Sequence, residues 1–405
     1  MKKRENSETP LERILEEVAR AGEISRRGLA HALSVPLASI GQKVRPLLRA
    51  DLLQLREDKD ALALNPSFGC VVGIDMGASH LHFALADFGG EILNDATEKI
   101  RPEAGPAKLI AQIKEGIRRQ VAAISHQHSA AKSLRPARKH AQHPFAVRGM
   151  AIGVPSPVDP VTGVVSLANN LYGWRNIDLA HALEKEFRVP VSVENDANMA
   201  AIGEHWRGVA RDVRNFVFIA LGTGIGAGVF VDGKLVRGRT GSAGELFRMN
   251  VEWQRWDEDF ADTGYFETHV SGMGIAAEGR TLLGPPRAGQ PSDLAAERDA
   301  YFVFEALRQG NPQARVALTK VFTLLGVGIA NVVSVLDPDL IVLGGGVVKG
   351  APELLLATLD RVVRRILKNL APPIKISALE DKAQTYGAVF SALTGAQKAV
   401  LRRLK

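Results

Sequence analysis

The chain has 405 residues, 46% hydrophobic and 23% charged, a balance that fits a soluble globular protein of two or three domains. A single cysteine, Cys70, excludes an internal disulfide and suggests a reducing compartment. The opening MKKRENSETPLER lacks the apolar core of a signal peptide, and no segment reads as the ~20 apolar residues of a membrane span, so a cytoplasmic protein without a membrane partner is expected. The net charge of +7 is weak evidence for nucleic acid, because residues 119–148 hold Arg119, Lys132, Arg135, Arg138, Lys139 and Arg148 and no acid. That segment also holds His126, His128, His140 and His143, and it reads as a solvated insertion or as a nonspecific contact to phosphate.

Taken in order, residues 9–56 read as three short helices and a turn. Leu11, Ile14, Leu15 and Val18 recur at helical spacing. Ser25 is placed to N-cap a second helix through Leu29 and Ala32. Leu33-Ser34-Val35 is the turn, and Pro36 suits the first position of a third helix whose buried face is Ile40, Val44 and Leu47. Inside that helix Gly41 costs ~1 kcal/mol relative to alanine and Pro46 ~3 kcal/mol, so the helix is expected to end near Arg45 or to kink. Val71–Asp75 and Leu81–Asp87 are β runs around a turn at Gly77-Ala78. A helix is expected over Ala107–Val121, a strand over Met150–Pro155, a helix over 178–187 and a strand over Val189–Val193.

That strand leads into the most informative stretch. Asn195-Asp196 present an amide and a carboxylate at a strand end. The apolar run Phe216–Leu221 breaks into Gly222-Thr223-Gly224-Ile225-Gly226-Ala227-Gly228, read as a loop whose bare backbone can approach phosphate oxygens. Glu245 follows a Gly-Ser-Ala-Gly turn. A base for a hydroxyl proton, a phosphate cradle and a second carboxylate are the parts of phosphoryl transfer to a sugar. Further on, 270–330 reads as mostly helical with an interruption at 283–291, Val321–Val335 as an apolar helix, and Leu340–Leu343 as a strand running into Gly344-Gly345-Gly346. A helix over Glu353–Leu370, a strand over Lys375–Ala378 and a closing helix from Gly387 complete the chain.

The order ENDAN, GTGIGAG, AGE resembles the ROK family of sugar kinases and sugar-responsive repressors, over about Thr9 to Gly395. The resemblance implies an α/β chain: a winged helix-turn-helix (1–66, with 54–66 a minimal wing or linker), then a two-lobed actin-like ATPase, ribonuclease H-like fold, with one lobe at 67–187 completed by about 380–405 and the other at 188–379. It places Ser39–Arg45 in the major groove, with Gln42, Lys43 and Arg45, and the capping-turn residues Ser25 and Arg26, as the DNA-binding set. Gly28, Ser34, Gly41 and Pro46 depart from the family's pattern, so a head that no longer reads DNA stays open.

For the lobes the resemblance implies nucleotide contacts at Asp75, Gly77, Ser79, Gly222, Thr223, Gly224, Gly344 and Gly345. Ala78 stands where backbone should approach phosphate, and the 75–79 turn reads equally as a hairpin. Sugar contacts are implied at Asn170, Asn195, Asp196, Glu245 and Glu267. Asp196 is the kinase base under that reading, or a helix cap; Asn170 touches ligand or caps a turn. Arg248, in place of the family's sugar- and zinc-binding histidine, either binds an acidic sugar or pairs with Glu245 or Glu258. Glu258, Phe260 and Tyr265 stand where the family has its three zinc cysteines, so no structural zinc is expected, and Phe247, Phe260 and Tyr265 are read as an apolar substitute. The function implied is a regulator, operator DNA and a sugar held between two lobes being its partners, as a homodimer or dimer of dimers. The alternative is a kinase using ATP-Mg²⁺.

Overall fold

The computed structural model describes residues 9–56, 60–131, 146–168, 171–260, 263–284 and 300–404. The chain divides into two compact units: residues 1–196 with 385–405, and residues 197–384.

The first unit opens with a helical head. Helix α1 (Pro10–Ala21) starts in a capping box between Thr9 and Glu12 and buries Ile14, Leu15 and Val18. Strand β1 (Glu23–Ser25), helix α2 (Arg26–Ala32) and helix α3 (Leu37–Arg49) follow, and β2 (Leu53–Leu55) and β3 (Ala61–Leu64) close a three-stranded antiparallel sheet in the order β1-β3-β2. The head is therefore a winged helix-turn-helix. The reading of 9–56 as helices and a turn missed β1 and β2, which are three residues each and too short to show alternation. Pro36 is the N-cap of α3, one position before the place expected for it. Residues 57–59 of the wing lie outside the described residues.

A five-stranded sheet follows, built from β4 (Cys70–Met76), β5 (His80–Asp87), β6 (Ile92–Lys99), β7 (Val147–Val154) and β10 (Val191–Asn195), in the order β6-β5-β4-β7-β10. The first three strands run antiparallel, and β4, β7 and β10 run parallel. Between β7 and β10 in sequence, β8 (Val165–Leu167) and β9 (Arg175–Ile177) form a separate antiparallel pair. One face carries Val72, Ile74, Met150 and Ile152 and forms a core with residues of helix α4 (Gly105–Ala131) and helix α5 (Leu179–Phe187). The other face is bare at Gly73 and Gly149, and the closing helix (Ala383–Leu404) lies on it. A Cβ on Gly73 would sit 2.8 Å from the Val389 nitrogen, and one on Gly149 2.7 Å from the Ala392 oxygen. Of the basic segment, Lys132, Arg135, Arg138, Lys139, His140 and His143 lie outside the described residues, as do the side chains of His126 and His128.

The second unit repeats this sheet. Strands β11 (Phe216–Leu221), β12 (Ile225–Val231), β13 (Lys234–Val236), β14 (Leu340–Gly344) and β15 (Ile374–Ile376) are ordered β13-β12-β11-β14-β15, with the same sequence of antiparallel and parallel pairings. Two such sheets are the two lobes of the actin-like ATPase fold. Helices α6 (Asp196–Arg207), α7 (Tyr265–Val270), α8 (Gly272–Leu283), α9 (Tyr301–Arg308), α10 (Pro312–Leu336) and α12 (Pro352–Leu367), with the short α11 (Gly346–Gly350) between, accompany it. Contrary to the expectation that no segment is apolar enough to span a membrane, α10 is long and apolar enough by length and composition. Its Leu318, Phe322, Leu325 and Ile329 are buried in the core of this unit.

Candidate ligand-binding elements and DNA-reading helix

In the first unit the candidate ligand residues stand at the C-terminal ends of parallel strands, where open α/β sheets bind their ligands. Asn195 is the last residue of β10, opposite Val154 of β7, and its Nδ2 donates to the Ser156 carbonyl at 3.4 Å. Its N–H donates to Glu194 Oε1 at 3.0 Å. Asp196 opens α6, at the end of the helix whose dipole favours an anion, so capping and ligand roles are compatible. Asp75 ends the same row of the sheet: Asp75 pairs with Gly153, and Gly153 with Glu194. Asp75 and Glu194 are both buried, on the face that receives the closing helix. Glu194 was not singled out from the sequence; the shared row appears only once strand register is known. Beside them His82, paired with Asp75 in the β4–β5 ladder, has Nδ1 2.9 Å from Thr385 Oγ1 and Nε2 3.2 Å from Asp95. The 77–79 turn is a hairpin connection: the Gly77 N–H donates to the His80 carbonyl, and Ala78 and Ser79 are exposed. Asn170 lies outside the described residues.

In the second unit the glycine stretch is shorter as a loop than its sequence suggests. Only Gly222-Thr223-Gly224 turn; Ile225–Gly228 belong to β12 and pair with β11. Gly226 and Gly228 are bare because α6 lies on them: a Cβ on Gly226 would be 3.2 Å from the Ala197 Cβ, and one on Gly228 would collide with Ala201. The helix that begins at Asp196 is thus seated on half of the supposed phosphate loop. The turn itself is gripped by the α7–α8 junction. Glu267 Oε2 accepts the Ile225 N–H at 2.8 Å, and the Gly272 N–H donates to the Gly222 carbonyl at 2.9 Å. Burial raises the Glu267 pKa, opposed by the Ile225 N–H. Glu245 follows Gly244, whose carbonyl accepts the Ala227 N–H at 3.0 Å, so this loop is fastened to β12. Gly344 ends β14, and Gly345 after it takes φ +99° as the N-cap of α11.

Arg248 does not pair with Glu258. Its guanidinium lies over the Phe247 ring, 4.7 Å from the centroid, and Glu258 is held by Arg255 at 2.6 Å. Tyr265 is buried in the apolar core of this unit, and Phe247 and Phe260 pack against that core. Phe260 and Tyr265 meet edge to face at 5.3 Å, and Arg255 stands over both. A guanidinium, a phenyl ring and a phenol do not fit a tetrahedral Cys/His zinc site.

In the head, Ser25 accepts the Gly28 N–H at 3.0 Å as the N-cap of α2. Arg26 Nε is 3.8 Å from Asp60. Helix α3 does not stop at Arg45; it runs through Pro46 to Arg49, because Leu47 is buried in the head core and holds the last turn. Ser39 Oγ donates to the Pro36 carbonyl at 2.8 Å. Ser39, Gln42, Lys43 and Pro46 line a cavity of about 600 Å³ with Thr9, Pro10, Leu11 and Leu401 of the closing helix. Ala38, Gly41 and Arg45 are exposed on α3.

The family model that matches this chain is that of the ROK family, over residues 71–394. The xylose repressor of Caldicellulosiruptor bescii is 27% identical over 333 residues, 81% of this chain and 79% of that protein. The glucokinase of Halalkalibacterium halodurans is 31% identical over 288 residues, 70% of this chain and 82% of its own. Among solved structures, a ROK family transcriptional regulator that is a homologue of the E. coli MLC protein superposes with a TM-score of 0.77 at 24% identity, covering 97% of this chain and 98% of its own. That likeness extends through the head.

Proposed function

The chain belongs to the ROK family, and we propose that it is a transcriptional regulator whose affinity for operator DNA is set by a bound sugar. The observation that carries this reading is the winged helix-turn-helix placed before the family domain, in a fold shared over nearly its full length with a solved regulator of the family. The DNA-contacting residues proposed are Gln42, Lys43 and Arg45 of α3, with the exposed Ala38 and Gly41 giving the helix a bare surface toward a groove. Ser25 and Ser39 serve mainly to fix the turn.

Sugar recognition is assigned to Asn195 and Asp196 at the end of β10 and to Glu245 in the loop fastened to β12. Sugar binding that favours one conformation of the chain over another changes DNA affinity by the difference in its own affinity for the two. Xylose heads the panel of candidate effectors, by likeness to a repressor named for it. A homodimer reading two half-sites is the assembly proposed. The test is a gel shift on a fragment of the gene's own promoter, repeated over the sugar panel. Complete absence of binding at low salt would remove the proposal.

The kinase reading keeps one specific support, the retention of Asp75 and Asp196 with a glycine turn at 222–224. Against it stand Ala78 in the first turn and Arg248 in place of a histidine. ADP release with hexoses, pentoses and N-acetylhexosamines, abolished by Asp196→Asn, would establish the kinase instead.

A further inference from the structure

Two of the four tryptophans are displayed on the surface of one turn. Trp253 and Trp256 are 76% and 77% exposed, whereas Trp174 and Trp206 are 1% and 3% exposed. Residues Trp253–Arg255 form a 3₁₀ turn and Trp256 continues it with helical dihedrals, so the indoles at i and i+3 project from the same side. The arrangement is held in place from below. Arg255, between the two, points inward, and all three of its guanidinium nitrogens have partners: Nε and one terminal nitrogen donate to the two oxygens of Glu258 at 2.7 and 2.6 Å, and the other approaches His269 Nε2 at 3.0 Å. His269 Nδ1 faces the Tyr265 carbonyl at 2.7 Å, which requires the proton on Nδ1 and leaves Nε2 to accept from Arg255. Tyr265 stacks on His269 at 4.3 Å and donates its hydroxyl to Glu252 at 3.0 Å. The pairing holds the Glu258 carboxyl below its usual range.

A turn locked this firmly beneath two solvent-facing indoles is a display surface. Large exposed aromatics rimmed by polar groups mark interaction sites, and tryptophan is the residue most enriched at their energetic centres. The rim selects the partner. Residues 252–259 hold Glu252, Asp257, Glu258 and Asp259 against the single base Arg255, in a chain whose net charge is +7. A two-fold contact of this patch with itself would set acids against acids, which disfavours a symmetric second copy. Arginine or lysine from a different molecule satisfies both features, stacking on the indole faces and pairing with the carboxylates.

We propose that the Trp253–Trp256 turn is a docking surface for a basic segment of a partner protein, separate from the residues assigned to sugar and DNA.

The two remaining tryptophans are buried, so fluorescence quenching by a bulky surface ligand reports on this pair. The full chain is titrated at low salt with a capped Gly-Arg repeat peptide, and with the same peptide carrying citrulline, which keeps the shape and loses the charge. The expected result is saturable quenching by the arginine peptide and binding weaker by about tenfold or more for citrulline. By calorimetry, Trp253→Ala/Trp256→Ala should lose the arginine peptide while keeping operator binding and the native melting temperature. Equal binding of the two peptides, undiminished binding to the double variant, or no saturable binding of either peptide overturns the proposal. Quenching by xylose, glucose or cellobiose with no response to the arginine peptide overturns it in favour of a carbohydrate platform.

Discussion

Asp196 is the residue on which the sugar-binding assignment turns. It is the first residue of α6, directly after the strand residue Asn195, where the helix dipole favours a carboxylate. Asp196→Asn keeps a capping side chain of the same size. The expectation is an unchanged melting temperature without ligand and loss of the rise that an effector sugar produces by mass action. A preserved rise would take Asp196 out of the ligand set. Glu204 supplies a second, independent expectation. It is fully buried, hydrogen-bonded to Ser377 and to the Val209 N–H, and burial raises its pKa. The folded state therefore binds the proton more tightly than the unfolded state. The cost of ionising it is absent below the ordinary carboxylate pKa and complete above the raised one. Glu204→Gln should flatten the fall in melting temperature across that window, as pH rises above the ordinary glutamate range. An identical pH profile would refute the linkage. Local chemistry made Ser25 legible as a cap from sequence alone. Arg255 was invisible, because its partners Glu258, Phe260, Tyr265 and His269 come together only after the chain turns back on itself.

At the scale of the element, α3 shows how tertiary packing overrides propensity. Pro46 removes one helical hydrogen bond, yet the helix continues, since stopping at Arg45 would withdraw Leu47 from the head core. Gly41 has no such support: a Cβ there meets nothing within 4 Å. Gly41→Ala should stabilise the head by ~1 kcal/mol, read as a higher melting temperature. The added methyl lies on the exposed side of α3, and a matching loss of operator affinity is expected if that side enters a groove. The glycine stretch at 222–228 teaches the converse. Its composition signalled a phosphate loop, but Gly226 and Gly228 sit within β12 to admit α6, a distinction that spacing within the sequence does not carry. The long elements with strong periodicity, α1, β4, β11 and α10, were legible; β1, β2 and β9 (Arg175–Ile177), three residues each, were not.

Over the whole molecule, family membership was legible because three motifs in fixed order are hard to assemble by chance. The repetition of one sheet topology in both units was not, because strand order and direction depend on pairing across long separations. That repetition sets the 77–79 and 222–224 turns at equivalent places in the two sheets, each joining the first two antiparallel strands of its lobe. The head adds what a sugar kinase does not need, and the account of function rests on it. The most direct measurement is the fluorescence anisotropy of a labelled fragment of the gene's own promoter, titrated with the full chain at low salt and again with the sugar that most raises the melting temperature. The account predicts sequence-specific binding that falls steeply with added salt and shifts by about tenfold with the sugar, a coupling of ~1.4 kcal/mol. Binding that is absent at low salt, with and without sugar, would contradict it.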